Sequence, residues 1–276
     1  MTEWLVSHEP AVRLTAAAAV AGIFAIAEQL HPRRARSRSR MARWRVNAGI
    51  LLIDTLALRF LMPVLAVGMA LEAERRGWGL LNQIGWPSWI EFLVTLLLLD
   101  LVIYGQHWTF HKVPVLWRLH RMHHSDLDFD VSTGLRFHPI EILLSMGLKI
   151  AAVAVLGAPA AAVVVFEVLL NGITLFNHAN LGMPAGVDKW LRLVVVTPDM
   201  HRVHHSVHRY ETDSNYGFSF PYWDRLLRTY RAQPVDGHER MVIGVASLRD
   251  PHRQRLLDLL WQPFTRNQTV AARDKS

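Results

Sequence analysis

Long apolar blocks separated by short basic or histidine-bearing stretches organise this chain. The first runs from about Ala11 to Leu30, near the roughly 20 residues that cross a bilayer, with Arg13 and Glu28 close to its ends. Glu3 stands where a signal peptide would carry basic residues, and no convincing cleavage site follows, so the block is expected to remain as a helix. A second block spans about Val46 to Leu71 and contains Asp54 and Arg59, charges costly in lipid and therefore expected to face inward. A third runs from Trp89 to about Tyr104. From Ile140 to Asn177 the chain is apolar again, with Gly157 and Pro159 in the middle and Lys149 and Glu167 as its charges. That punctuation predicts two helices joined by a tight turn.

Composition sharpens the pattern. Hydrophobic residues make up 51% of the 276 positions, yet Lys+Arg still outnumber Asp+Glu by 30 to 23, so apolar and charged residues are segregated as in a membrane protein with basic cytosolic parts. Residues 31–45 carry seven arginines and no acid, which the positive-inside rule assigns to the cytoplasm. Counting crossings from that loop returns the chain to the cytoplasm at His107 and, after the 140–177 hairpin, again before His201. The expectation is an all-α integral membrane helical bundle of about four membrane helices or hairpins. Its parts are N-terminal helices over 1–106, a histidine-bearing region over 107–235, and a cytosolic tail over 236–276, all one membrane domain. A bacterial inner membrane, with the histidines on the cytoplasmic face, is the implied location. The basic residues are not interleaved with aromatics on a nucleic-acid module, so no nucleic-acid partner is expected. Cysteine is absent, which excludes disulfides, iron–sulfur ligation and thiolate chemistry from these residues.

Three histidine groups carry the candidate chemistry: His107 and His111; His120, His123 and His124; His201, His204 and His205. Spacings of three and four put the imidazoles of a group on one face of a helix. Pro114 suits the first turn of a helix carrying the second group, and Thr197 with Pro198 suits the cap and first residue of a helix carrying the third. Solvated histidines, or a cationic face lying on acidic lipid, would explain one such pair. Three groups, two of them repeating HxxHH, point to neutral imidazoles gathered around metal. His178 and His138 are further candidate ligands, His138 serving equally as a helix start. Eight to ten imidazoles exceed what one ion takes, so two ions are implied. His8, His31, His238 and His252 are expected at the surface, and His208 is a doubtful neighbour. Asp126, Asp128, Asp130, Asp199, Asp213 and Asp224 are candidates to orient the imidazoles. Metal affinity is expected to fall below about pH 6.5 as imidazoles protonate.

In order, DLVIYGQHWTFHKVPVLWRLHRMHH, RFHPIE, FNHAN, TPDMHRVHHS and NYGFSFPYWDRLLRTY, from about Asp100 to Tyr230, resemble the fatty acid hydroxylase and sterol desaturase superfamily of membrane di-iron enzymes. The resemblance implies that His107, His111, His120, His123, His124, His201, His204 and His205 bind two iron ions, with His178 and His138 completing the set and zinc a conceivable substitute. It implies a bundle of four or so membrane helices under a cytosolic histidine-rich cap, with Asn215, Tyr216, Trp223 and Asp224 as structural support. The implied activity is O2-dependent hydroxylation, or desaturation, of an unactivated C–H bond in a fatty acyl or sterol-like membrane lipid. With no cysteine, haem-attachment motif or G-x-G-x-x-G, the two electrons are expected from a separate ferredoxin or cytochrome steered to the basic face. Two other readings compete. A zinc-dependent membrane hydrolase would want an H-E-x-x-H motif, which is absent. A histidine-rich metal transporter would place its ligands near the bilayer midplane.

Overall fold

The structure, a computed structural model, describes residues 2–265; the end of the expected tail, 266–276, lies outside them. Helices α1 (Glu9–Leu30), α2 (Arg40–Leu61), α3 (Ala66–Arg76), α4 (Ser88–Lys112), α5 (Pro114–His124), α6 (Pro139–Leu156), α7 (Ala160–Asn177) and α8 (Pro198–His204) form its frame. Short helical turns fill the polar connections, and among the described residues the only β-type pairs are two isolated bridges. Five segments are long and apolar enough to cross a membrane: Glu9–Leu30, Arg40–Ile84, Ser88–Lys112, Pro139–Leu156 and Ala160–Asn177. Side chains such as Ile23, Leu52, Phe60 and Val155 point outward from these helices. In water so much exposed apolar surface would be unstable, whereas lipid is its natural surrounding.

The expected second block is not one helix. Pro63 has no N–H to donate and disfavours helical geometry in the residue before it, so α2 ends at Leu61, Met62 is extended, and α3 restarts at Ala66. Asp54 faces inward as expected, but Arg59 is exposed, in the last turn of α2, where a long side chain can reach toward a polar boundary.

Helix α7 is the centre of the bundle. Its first turns, Ala160 to Val164, are buried and small enough to let α3 and α4 approach closely, with Val153, Leu99 and Ile103 completing the core. The buried charges of α6 and α7 in this region are paired with each other and with α1. Glu167 on α7 accepts from Lys149 Nζ on α6 at 2.8 Å and from Arg13 on α1, also at 2.8 Å, so three helices share one buried ionic knot. Gly157 turns α6 into α7 with a positive φ of 66°, and a Cβ there would stand 2.5 Å from the Trp78 carbonyl; only glycine allows that approach.

The polar layer above the bundle is tied to it by buried side chains. Glu28, at the end of α1, accepts the N–H groups of Val131 and Asn180, each at 3.0 Å, and the Arg40 guanidinium at 3.2 Å. Arg43, on α2, reaches Asp126 at 2.7 Å, Asp130, and the Thr133 hydroxyl at 3.0 Å. These contacts fix the loop between α5 and α6.

Candidate metal centre

Nine buried imidazoles meet where α4, α5, α7 and α8 converge. His107, His111, His120, His124 and His204 form one group; His123, His178, His201 and His205 form a second. Within each, the potential ligand nitrogens lie within 4.8 Å of one another. Local sequence explains the delivery. Residues four apart on α4 present His107 and His111 to the first group, and the same spacing on α5 adds His120 and His124. His123, one position off that stripe, turns to the second group. On α8, Thr197 caps the helix by accepting the Met200 N–H at 3.3 Å, with Pro198 at its first position. His204 then points to the first group, and His201 and His205 to the second.

Backbone carbonyls orient several rings. His107 donates Nδ1–H to Tyr216 O, His204 to Ser214 O and His178 to Thr174 O, each at 2.7 Å. A carbonyl only accepts, so the ring proton sits on Nδ1 and the Nε2 of each neutral imidazole is a bare lone pair. Those lone pairs are aimed at one another: His204 Nε2 is 3.0 Å from His107 Nε2, which is 3.1 Å from His120 Nε2. In the second group His178 Nε2 lies 3.2 Å from the Nε2 atoms of both His123 and His201. The Nε2 atoms of His111 and His205 are buried with no hydrogen-bond partner among the described residues.

A second proton does not resolve this crowding. Burial holds His120 down to about 3 and His178 to about 4, and burial with neighbouring imidazoles holds His123, His124, His201, His204 and His205 well below the ordinary value. A cation in each group does. Two nitrogens about 2.1 Å from one ion stand about 3.0 Å apart at a right angle. The nitrogen spacings, the all-imidazole donor set and the orphaned lone pairs therefore fit one transition-metal ion per group.

Around the ligand set, polar groups are fixed in turn. Glu141 Oε1 accepts His120 Nδ1–H at 2.7 Å, the one carboxylate hydrogen-bonded directly to these rings among the described residues. Asp213 Oδ1 stands 3.5 Å from His111 Nδ1. Asp224 accepts the N–H groups of Tyr216 and Gly217, both at 2.8 Å, and so positions the carbonyl that holds His107. Asp100 accepts Trp223 Nε1–H at 2.9 Å. Asn215, with a left-handed φ of 51°, donates to Met200 O and Arg231 O. Phe137 stacks on His123 with ring centroids 4.4 Å apart.

Nine of the ten expected ligand candidates come together. His138 does not join either group. Its Nδ1 accepts the Ile140 N–H at the start of α6, and its Nε2 donates to Leu260 O at 3.1 Å, so both ring nitrogens are engaged as a helix cap and a tether. His208 leaves the α8 stripe because that helix ends at His204, and it bonds Asp236 at 2.9 Å. His238, expected at the surface, is buried beside Asp199. Of the six candidate orienting aspartates, Asp213 alone approaches an imidazole of either group. Asp126 and Asp130 bind Arg43, Asp128 accepts from Ser37 and the Arg38 N–H, Asp199 binds Arg202, and Asp224 holds backbone. Glu141, the carboxylate that does bond a ring, was visible in sequence only as the acid in the first turn after His138-Pro139.

The family model described as fatty acid hydroxylase matches residues 92–229, half of the chain. Among curated proteins, the chain is 33% identical over 149 residues to ornithine lipid hydroxylase OlsE of Rhizobium tropici, covering 54% of this chain and 44% of that protein. It is 30% identical over 168 residues to alkylglycerol monooxygenase of Homo sapiens, covering 60% and 35%. It is 29% identical over 147 residues to cholesterol 25-hydroxylase of Homo sapiens, covering 52% and 53%. The matched region thus spans about half or less of the length of these relatives. No solved structure gives a significant match.

Proposed function

Because the chain belongs to the fatty acid hydroxylase family, we propose that it is a membrane-bound, O2-dependent di-iron oxygenase that hydroxylates an aliphatic C–H bond of a membrane lipid. The observation that carries the reading is the pair of buried histidine groups, five and four imidazoles with their bare nitrogens facing inward. Iron held there supplies the activation of O2 and the power to remove hydrogen from an unreactive carbon. The chain's own residues do the rest. The Tyr216, Ser214 and Thr174 carbonyls hold the ring protons of His107, His204 and His178 on Nδ1, and Glu141 holds that of His120. Burial keeps water from the imidazoles. The donor set of each group is free of carboxylates, and Glu141, bonded through His120, would support an ion in the five-histidine group alone.

The relatives' names point to lipids with long aliphatic parts: an ornithine lipid, an alkylglycerol and cholesterol. A lipid substrate fits a chain with five membrane-length apolar segments. Two electrons would come from a ferredoxin- or cytochrome-type carrier, and the arginine-rich loop 31–45 favours placing the histidine layer on the cytoplasmic face of a bacterial inner membrane. The histidine groups draw on the last turns of α4, on α5 and on α8, beyond the apolar cores of the spans, which disfavours a transporter with ligands at the midplane.

The test is metal analysis joined to lipid mass spectrometry on membranes with and without the protein. The expected result is about two irons per chain and lipids heavier by one oxygen. A loss of two hydrogens instead identifies a desaturase. His123→Ala should insert normally yet lose bound iron and all lipid oxidation. One zinc per chain with lipid cleavage would refute the oxygenase, as would full activity of the His123 variant.

A further inference from the structure

Several aromatic side chains touch the histidines, and Trp117 differs from the others in what lies outside it. Its ring centroid is 4.9 Å from that of His111 and 5.4 Å from that of His124, two members of the five-histidine group. It is only half-buried, so one ring spans the distance from the protein surface to the ligand set. On its outer side the Arg209 guanidinium sits 5.1 Å from the ring centroid. Arg209 also donates to His111 O at 3.1 Å and to Asp213 at 2.9 Å, and Lys112 meets the same carboxylate at 3.1 Å. Arg118, the next residue on α5, is exposed and anchored by its Nε to Pro263 O. One cation, Arg209, therefore stands over an indole in contact with two candidate ligands, Lys112 shares its Asp213 carboxylate, and Arg118 adds a further positive charge on the same helix as the indole. Phe137 and Phe218, the other half-buried rings on the cluster, have no cation above them among the described residues.

From this arrangement we infer that Trp117, Lys112, Arg118 and Arg209 form the docking surface of an acidic one-electron carrier protein, whose electrons reach the five-histidine group through the Trp117 ring. The inference rests on the oxygenase reading and adds to it a place and a partner chemistry. Electron transfer weakens steeply with separation, so a carrier seated over a half-buried ring that touches two of the imidazoles has a short path to them. Cations at the rim steer an acidic partner and fix its orientation. In each encounter the carrier's reduced iron–sulfur or haem group would give up one electron, and iron that His111, His124 and their neighbours would hold is its acceptor. Two encounters, with two protons from water, complete the conversion of O2 and a C–H bond to an alcohol and water.

The test uses the iron-loaded full chain in lipid nanodiscs under anaerobic conditions. Its probe is a reduced two-iron, two-sulfur ferredoxin with an acidic surface, and dithionite is the small-molecule control. Trp117→Leu should keep its iron and its reduction by dithionite, but lose most of the ferredoxin-driven rate at saturating ferredoxin. Lys112→Glu should slow ferredoxin association about tenfold at low salt, with the difference closing as salt rises. An unchanged ferredoxin-driven rate in Trp117→Leu overturns the inference, as does equal slowing with both reductants, which would mark a structural defect. A wild-type centre that dithionite reduces and the ferredoxin does not also overturns it. Loss of binding to anionic vesicles by Lys112→Glu, with ferredoxin association intact, would make the patch a membrane contact instead. A wild-type chain that binds no iron fails the oxygenase reading itself, a result separable from all of these.

Discussion

Replacing Glu141 should damage one metal group and spare the other. Its carboxylate is buried and accepts His120 Nδ1–H at 2.7 Å, while His107 and His204 in the same group lean on backbone carbonyls that no side-chain substitution removes. Glu141→Ala leaves a buried N–H without a partner, a cost of about 1–3 kcal/mol. It also frees the ring to turn. Loss of such an orienting carboxylate typically weakens metal binding about 10- to 100-fold, equivalent to about 1.4–2.7 kcal/mol. Glu141→Gln keeps an acceptor oxygen but no charge, and charge-assisted bonds are about twice as strong as neutral ones, so it should fall near the lower end of that range. The assay is chelator competition on detergent-solubilised protein, with metal content read at each step and the metal-free thermal midpoint as a folding control. At a chelator concentration that leaves the wild type loaded, the Ala variant should retain about one ion per chain, held by His123, His178, His201 and His205. Equal loss from both groups, or undiminished affinity in Glu141→Ala, would refute the assignment of Glu141 as the support of His120.

The remaining predictions concern charge and capping. Unfolded imidazoles titrate near 6.5, whereas folded His178 and His120 are held to about 4 and about 3, so between these values the unfolded chain binds more protons. Stability of the metal-free protein should therefore fall as pH drops below about 6.5, by about 1.4 kcal/mol per pH unit for each imidazole that gains its proton only on unfolding. Chemical denaturation from pH 7.5 to 5 checks this; a flat profile would argue against neutral buried rings. Glu167→Ala leaves Lys149 and Arg13 facing each other without their shared carboxylate and should destabilise the bundle by about 3–5 kcal/mol, read as a lowered thermal midpoint. A change below about 1 kcal/mol would mean water reaches the knot. His138→Ala removes a helix cap worth about 1 kcal/mol, and metal content should not change; iron loss would place His138 among the ligands after all.

What the sequence made legible was periodic or punctuated. Apolar length located the spans, Gly157 and Pro159 the turn between α6 and α7, and spacings of three and four the faces of α5 and α8. Pro63 was equally visible, but a reading by apolar length ran through it and merged α2 with α3. The partners of charged residues were not legible, because they are chosen across long separations. Asp126 and Asp130 lie near the histidines in sequence, yet the nearest cation to satisfy them is Arg43 on α2. The groups that orient His107, His178 and His204 are carbonyls, which every residue has and no motif marks. His138, directly before Pro139 with Glu141 following, suits a helix start as well as a ligand in sequence. Only the placement of the helical turn Leu256–Trp261, which brings Leu260 O to its Nε2, shows that the ring is already engaged.

The polar anchors of α1 carry a consequence for how the protein is made. Arg13 finds Glu167, and Glu28 finds the amides of Val131 and Asn180, all more than 100 residues further along the polypeptide. A nascent first helix therefore leaves the ribosome with Arg13 and Glu28 satisfied only by near neighbours, Glu9 and Arg40, before their distant partners are translated. It must linger at the insertion machinery or the lipid boundary until α7 arrives, so assembly of this bundle closes from its far end back onto its beginning.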